Sequence, residues 1–365
     1  MHWLALGVLC LAAALALTFA ERLRRRRAEA QAYLKGVRYV LSDDPDAAIE
    51  ALSDAARLGS PEAVETYLAL GALFRRTGDL ARAIRLHRNM LLRPGLDAGH
   101  RGEIIRELAA DYRRGGMLSE AVEAYGPLAE LGDRAAMEGM RDVLVEQGNL
   151  AAAAALQLRL AGPGDDPLLA HLLAALSRSR LPADPAAAAA AAREALEASP
   201  GSADALLALA ESLAASGETA EALAAVGRAL EADPGCALLA WPALSRNQDA
   251  AALERFATER VARAPRDAAL RFLRGKVLRL QGRAGEGLEE LRRAMELDAT
   301  GEVTLAMREL LREAEAPGPE ELAARHDIMV AALLRQARQL RCRRCGAGAA
   351  ARSWRCPRCG SFDGY

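Results

Sequence analysis

Residues 64–97 read VETYLALGALFRRTGDLARAIRLHRNMLLRPGLD, and the spacing inside this stretch decides the fold. Gly71 stands at the eighth position, Gly78 at the fifteenth and Ala83 at the twentieth. A small residue at the eighth lets a first helix approach a second, a glycine at the fifteenth turns the chain, and a small residue at the twentieth admits the next close contact. The same offsets recur in Ala203 to Cys236, with Ala210, Gly217 and Ala222. Further copies begin near Glu29 (Gly36, Ala48), Gly102 (Ala109, Gly116, Ala121), Arg134 (Gly148, Ala153) and Ala268 (Gly275, Gly282, Gly287). Asp43 at the fifteenth position of the first copy and Arg141 at the eighth of the fourth depart from the rule.

A helix pair repeated with a period near 34 is tetratricopeptide (TPR) patterning. It predicts an all-α solenoid over 29–316 with about eight repeats. Two are degenerate: Leu169 to Ser202, where alanines fill 186–192, and Ala237 to Asp267, where Pro242 interrupts the first helix. Composition agrees, because hydrophobic residues make up 52% of the 365 residues but aromatic residues only 4%. Ala, Leu, Glu and Arg favour helix over strand, which excludes all-β and sheet-centred folds. A net charge of −1 gives no global field for nucleic acid, so electrostatic recognition is local. The five histidines are scattered, and Gly282 to Gly287 (GRAGEG) lacks the phosphate-cradling order and a preceding strand. The sequence therefore offers no enzyme.

The two ends differ from the middle. Trp3 to Ala20 carries no charge and is followed by Arg22, Arg24, Arg25, Arg26 and Arg27. Eighteen helical residues reach about 27 Å, enough to cross a thin bilayer. The charge follows the apolar run instead of preceding it, which argues for an anchor at 1–21 with a basic juxtamembrane segment at 22–28 and everything after it in the cytoplasm. At the other end, a linker helix over 317–340 leads into a metal module at 341–365. There RCRRCGAGAAARSWRCPRCG sets Cys342, Cys345, Cys356 and Cys359 as two C-x2-C pairs. Four thiolates complete a closed tetrahedral shell around one structural ion and leave no open position for substrate. Zinc is favoured over iron, although the C-P-x-C-G string also resembles a rubredoxin knuckle, and disulfides are disfavoured in a cytoplasmic setting.

In a TPR the partner groove is drawn from fixed positions on the first helix of each pair. Those positions place Arg75 and Arg76 in one repeat and Arg106, Arg113 and Arg114 in the next. These five form a candidate groove for a carboxylate-bearing protein segment, the alternative being a solvated basic face.

An apolar N-terminal span, an arginine stop, a TPR array and a terminal tetracysteine knuckle together resemble the lipopolysaccharide assembly protein B family (LapB, also YciM). Leu68 to Leu91 and the string from Leu340 to Gly360 carry the likeness. The resemblance implies a single-pass inner-membrane adaptor that restrains lipopolysaccharide synthesis by presenting the lipid A deacetylase LpxC to the protease FtsH. It further implies contact with other inner-membrane lipopolysaccharide proteins and a rubredoxin-like module docked on the array. The competing classes are a TPR scaffold for another membrane complex, a zinc-ribbon nucleic-acid binder using the tail arginines and Trp354, and an electron-transfer rubredoxin.

Overall fold

The computed structural model describes residues 64–92, 96–162, 164–298, 340–349 and 354–362 continuously, together with residues 15–24 and scattered positions over 27–54 and 301–307. Two compact units divide at Gly148 and Asn149.

The first unit is built from α1 (Val64–Arg76), α2 (Leu80–Leu91), α3 (Ala98–Arg114), α4 (Leu118–Glu130) and α5 (Arg134–Glu146). Sequence offsets become turns in a simple way. Gly78, Gly116, Gly132 and Gly148 adopt φ between 74 and 87°, which only glycine takes without a steric penalty. The residue after the glycine then donates back to a carbonyl inside the finished helix, as Asp79 does to Phe74 at 2.8 Å and Met117 to Tyr112 at 2.9 Å. Asp79, Asp97 and Asp133 cap the following helices by accepting from backbone N–H groups of Arg82, His100 and Ala136. Close helix contact explains the small residues: a Cβ on Gly71 would fall 2.3 Å from His87 Nε2. Ala83, Ala109 and Ala121 are completely buried.

The second unit continues with α6 (Leu150–Leu160), α7 (Pro167–Arg180), α8 (Pro185–Ala198), α9 (Ala203–Ala215) and α10 (Thr219–Ala232). A 3-10 segment (Pro234–Ala240) and the short α11 (Trp241–Ser245) come next, then α12 (Ala250–Arg263), α13 (Ala268–Leu280) and α14 (Ala284–Leu297). The alanine run that erases the repeat pattern still makes a regular helix, α8. Asp184 caps it, and Ala188, Ala191, Ala192 and Ala195 are completely buried. At 237–267 the expected first helix is reduced to the 3-10 segment and α11, with Pro242 in the first turn of α11. The main core of this unit gathers Leu206, Leu207, Val226, Cys236, Leu244, Leu253 and Val277.

Outside the helices, β1 (Leu340–Arg341) pairs antiparallel with β2 (Gly348–Ala349), and Arg355 bridges Phe362. Among the described residues no helix is long and apolar enough to cross a membrane. Most of the expected span lies outside the described residues, as do Pro317 to Pro319 and the linker helix up to residue 339, Leu340 being strand; residues 15–24 are helical, with Leu15, Leu17 and Phe19 exposed.

Candidate metal centre and the arginine face

The two cysteine pairs fold into matching knuckles. In the first, Gly346 N–H donates to Cys342 O at 2.8 Å and Cys342 N–H to Ala347 O at 2.9 Å. In the second, Gly360 N–H donates to Cys356 O at 2.9 Å and Cys356 N–H to Ser361 O at 2.8 Å. Gly346 and Gly360 take φ of 69 and 71°, the left-handed turn foreseen from their place after each pair. The result brings all four sulfurs within 4.8 Å of one another.

Distances decide what four such sulfurs can do. Cys342 Sγ lies 3.6 Å from Cys359 Sγ, and Cys345 Sγ lies 3.8 Å from Cys356 Sγ. A disulfide needs about 2.05 Å. A tetrahedral ion with metal–sulfur bonds of about 2.3 Å separates its sulfurs by about 3.8 Å. The Ala347 backbone N–H favours the Cys345 thiolate, but burial and the three neighbouring sulfurs outweigh it and push the thiol up to about 11. Burial and crowding thus favour the neutral thiol at Cys345. The Ser361 hydroxyl sits 3.1 Å from Cys359 Sγ and 3.4 Å from Cys342 Sγ and pulls the Cys342 thiol below its ordinary range. The four cysteines fit a closed structural ion, and their geometry does not distinguish zinc from iron.

Beside the knuckles, Phe362 stacks on the His171 ring with centroids 5.3 Å apart and planes 11° apart. Trp354 meets the same ring at 5.6 Å and packs against the main core of the second unit. The module is thereby seated on α7. Trp354 is the residue that a nucleic-acid reading needs for base stacking, and the array already occupies it.

His171 is held from behind. Its Nδ1 hydrogen-bonds Asp204 Oδ2 at 2.6 Å. Asp204 Oδ1 accepts from Arg178 at 2.6 Å, and Arg178 Nε donates to Glu211 Oε1 at 2.9 Å. The first unit holds the same four residue types. His87 Nδ1 hydrogen-bonds Asp111 Oδ2 at 2.6 Å, Asp111 Oδ1 accepts from Arg75 at 2.7 Å, and Arg75 donates to Glu107 Oε2 at 2.6 Å. Asp111 is completely buried and Asp204 nearly so, so each carboxylate depends on its histidine and arginine.

These contacts revise the groove arginines. Arg75 is consumed by Glu107 and Asp111, Arg106 by Asp133 at 2.6 Å, and Arg113 by Glu146 at 2.6 Å with Asp142 at 3.8 Å. Burial opposes the charge of Arg75 and Arg113, but their carboxylate partners outweigh it and hold both guanidinium groups protonated more firmly than usual. Arg76 and Arg114 are exposed. Arg75, Arg113 and Arg178 each reach from one first helix to the first helix of the next pair, so they staple successive repeats. Sequence reading missed Glu107, Asp111, Asp142 and Glu146. The available signal was a carboxylate close to one repeat period beyond each arginine, 32 and 36 residues after Arg75 and 33 after Arg113.

Comparison with known proteins supports both the fold and the resemblance. Residues 33–93 and 183–246 each match a family described as Tetratricopeptide repeat. A stretch of 98 residues is 32% identical to Lipopolysaccharide assembly protein B of Escherichia coli (strain K12), covering 27% of this chain and 25% of that protein. The counterpart of Escherichia coli O157:H7 matches at the same identity and coverage. The chain thus matches about a quarter of the length of these curated relatives. Among solved structures it is similar to the C-terminal part of a TPR repeat-containing protein from Cytophaga hutchinsonii (14% identity, TM-score 0.44, 71% of this chain and 99% of that one). It is also similar to the TPR2AB-domain:pHSP90-complex of yeast Sti1 (17% identity, TM-score 0.32, 73% and 98%).

Proposed function

We propose that this protein is a membrane-anchored adaptor of lipopolysaccharide assembly, one that presents the lipid A deacetylase LpxC to the protease FtsH and catalyses nothing itself. Trp3 to Ala20 crosses the inner membrane once in this reading, and the body lies in the cytoplasm. The observation that carries it is the seating of the tetracysteine module on a TPR array through Trp354, Phe362 and His171, in a chain with a lipopolysaccharide assembly relative. A metal-folded module seated on α7 of the second unit gives a composite protein-binding surface, which is what presentation requires. Cys342, Cys345, Cys356 and Cys359 hold the ion, zinc in preference to iron, and the ion supplies structure in place of an apolar core that so short a module lacks. The client meets the first-helix face of the first unit, where Arg76 and Arg114 reach its carboxylates while Arg75, Arg106 and Arg113 keep the repeats in register.

The test is made in a host that controls its deacetylase by proteolysis. Replacing the chromosomal copy with Trp354→Ala/Phe362→Ala should let the deacetylase accumulate as a deletion does, and crosslinking from membranes should no longer recover deacetylase and protease together. Normal deacetylase levels with a folded, undocked module would refute the adaptor reading.

A further inference from the structure

The face of α2 turned away from α1 carries a different kind of site. Leu80, Ile84 and Leu92 of this face join Leu108 of α3 and Met117 to line an open trough of about 890 Å³. Leu92 is 81% exposed and continues the apolar lining to the end of α2. Arg85 and Arg88 are the only charged residues in the lining. Neither makes a hydrogen bond or ion pair among the described residues, whereas Arg75, Arg106 and Arg113 all do. Arg82, on the same helix, is taken by Asp79 and lies over the Phe74 ring. Asp79, which feels the charge of Arg85, is itself hydrogen-bonded by Arg82, and no carboxylate is among the residues that line the trough.

We propose that this trough is a docking site for an amphipathic helix of a protein partner, one that lays a ridge of apolar side chains into the trough and offers Asp or Glu to Arg85 and Arg88. Concavity selects this occupant. A bilayer surface takes apolar groups that protrude into it, while a trough lined by Leu80, Ile84, Leu108 and Met117 takes something that enters it. Charge selects its sign, since two guanidinium forks at the rim pair bidentately with carboxylates and repel a basic helix. The site lies on the second helix of its repeat and does not depend on the client face proposed above.

The probe is a synthetic helical peptide with leucines along one stripe flanked by glutamates, measured against the full chain by fluorescence anisotropy. Its counterpart with lysines in place of the glutamates is the control. The acidic peptide should bind, and Arg85→Glu/Arg88→Glu should weaken it at least about tenfold while improving the lysine peptide. Leu92→Asp, at a position too exposed to disturb folding, should weaken both peptides. Helical content by circular dichroism should stay the same throughout. Failure of the acidic peptide to bind, equal binding of both peptides, or binding indifferent to the arginine reversal overturns the proposal. So does a loss of binding to phosphatidylglycerol vesicles, on the same reversal, as large as the loss of peptide binding, because the trough would then serve a membrane.

Discussion

Two sites in this chain are built from the same four residue types and end differently. His87, Asp111, Arg75 and Glu107 in the first unit reproduce the hydrogen bonds of His171, Asp204, Arg178 and Glu211 in the second. In the first unit the histidine comes from a second helix, α2, and its ring closes on Gly71, leaving Nε2 buried with no partner among the described residues. In the second it comes from a first helix, α7, and its ring meets Phe362 and Trp354. One device therefore serves two ends. Sealed behind a glycine it locks adjacent repeats together, and turned toward the tail it becomes a landing site for the cysteine module.

Breaking the sealed site should have the largest effect. Asp111→Ala removes the carboxylate that compensates a buried histidine and a half-buried arginine, and should cost about 3 to 5 kcal/mol. Denaturant unfolding should then show the first unit melting ahead of the second. Gly71→Ala attacks the same place by volume, since its Cβ would fall within 2.4 Å of two His87 ring atoms. Overpacking of this kind should cost about 1 to 3 kcal/mol. A Gly71→Ala protein as stable as the parent would mean that His87 can leave its slot, and the distinction between the sealed and open histidines would fail.

At the open site the expected loss is smaller and different in kind. Phe362→Ala removes a ring contact with His171 worth about 0.5 to 1.5 kcal/mol while leaving His171 on Asp204, and should loosen the module with little change in the thermal midpoint of the array. Limited proteolysis should cut the tail of the variant sooner while the helical array survives.

How much of this was legible in the sequence follows from distance along the chain. Gly78, Gly116, Gly148, Gly217 and Gly282 were readable because the turn they make is local, and all five adopt positive φ. The cysteine knuckles were readable for the same reason. Arg75 and Arg113 were readable as positions, but their carboxylates stand about one repeat further on, and only the packing of successive first helices makes them partners. His171 and Trp354 are separated by most of the second unit, so no periodicity could join them. Only the nucleic-acid alternative makes Trp354 a stacking surface, and in the structure it is a packing residue.

The smallest effect concerns pH. At the start of α3 the Asp97 side chain accepts from the His100 ring as well as from its backbone N–H, which lowers the Asp97 carboxyl below 3.8 and raises the His100 imidazole above 6.5. A raised histidine contributes stability that is complete below its unfolded value and lost as pH rises through its folded value. A lowered carboxylate contributes stability that is present above its unfolded value and lost as pH falls. The pair should therefore hold best between about pH 4 and 6.5, and His100→Ala should flatten this small dependence while leaving the rest of the profile alone. Asp97 is exposed and His100 partly so, and nuclear magnetic resonance titration of the His100 ring is the measurement that sees it. An ordinary titration midpoint there would remove the contact.

The central claim is that one ion, held by Cys342, Cys345, Cys356 and Cys359, folds the tail and so places Trp354 and Phe362 on His171. It is tested most directly by labelling the tryptophans with fluorine and titrating zinc into the metal-free, reduced full chain. The Trp354 resonance should shift until one equivalent has been added and then stop, the Trp241 resonance should not move, and Cys356→Ser should abolish the response. A Trp354 resonance that ignores the metal, or one already at its final position in the metal-free chain, would contradict the account.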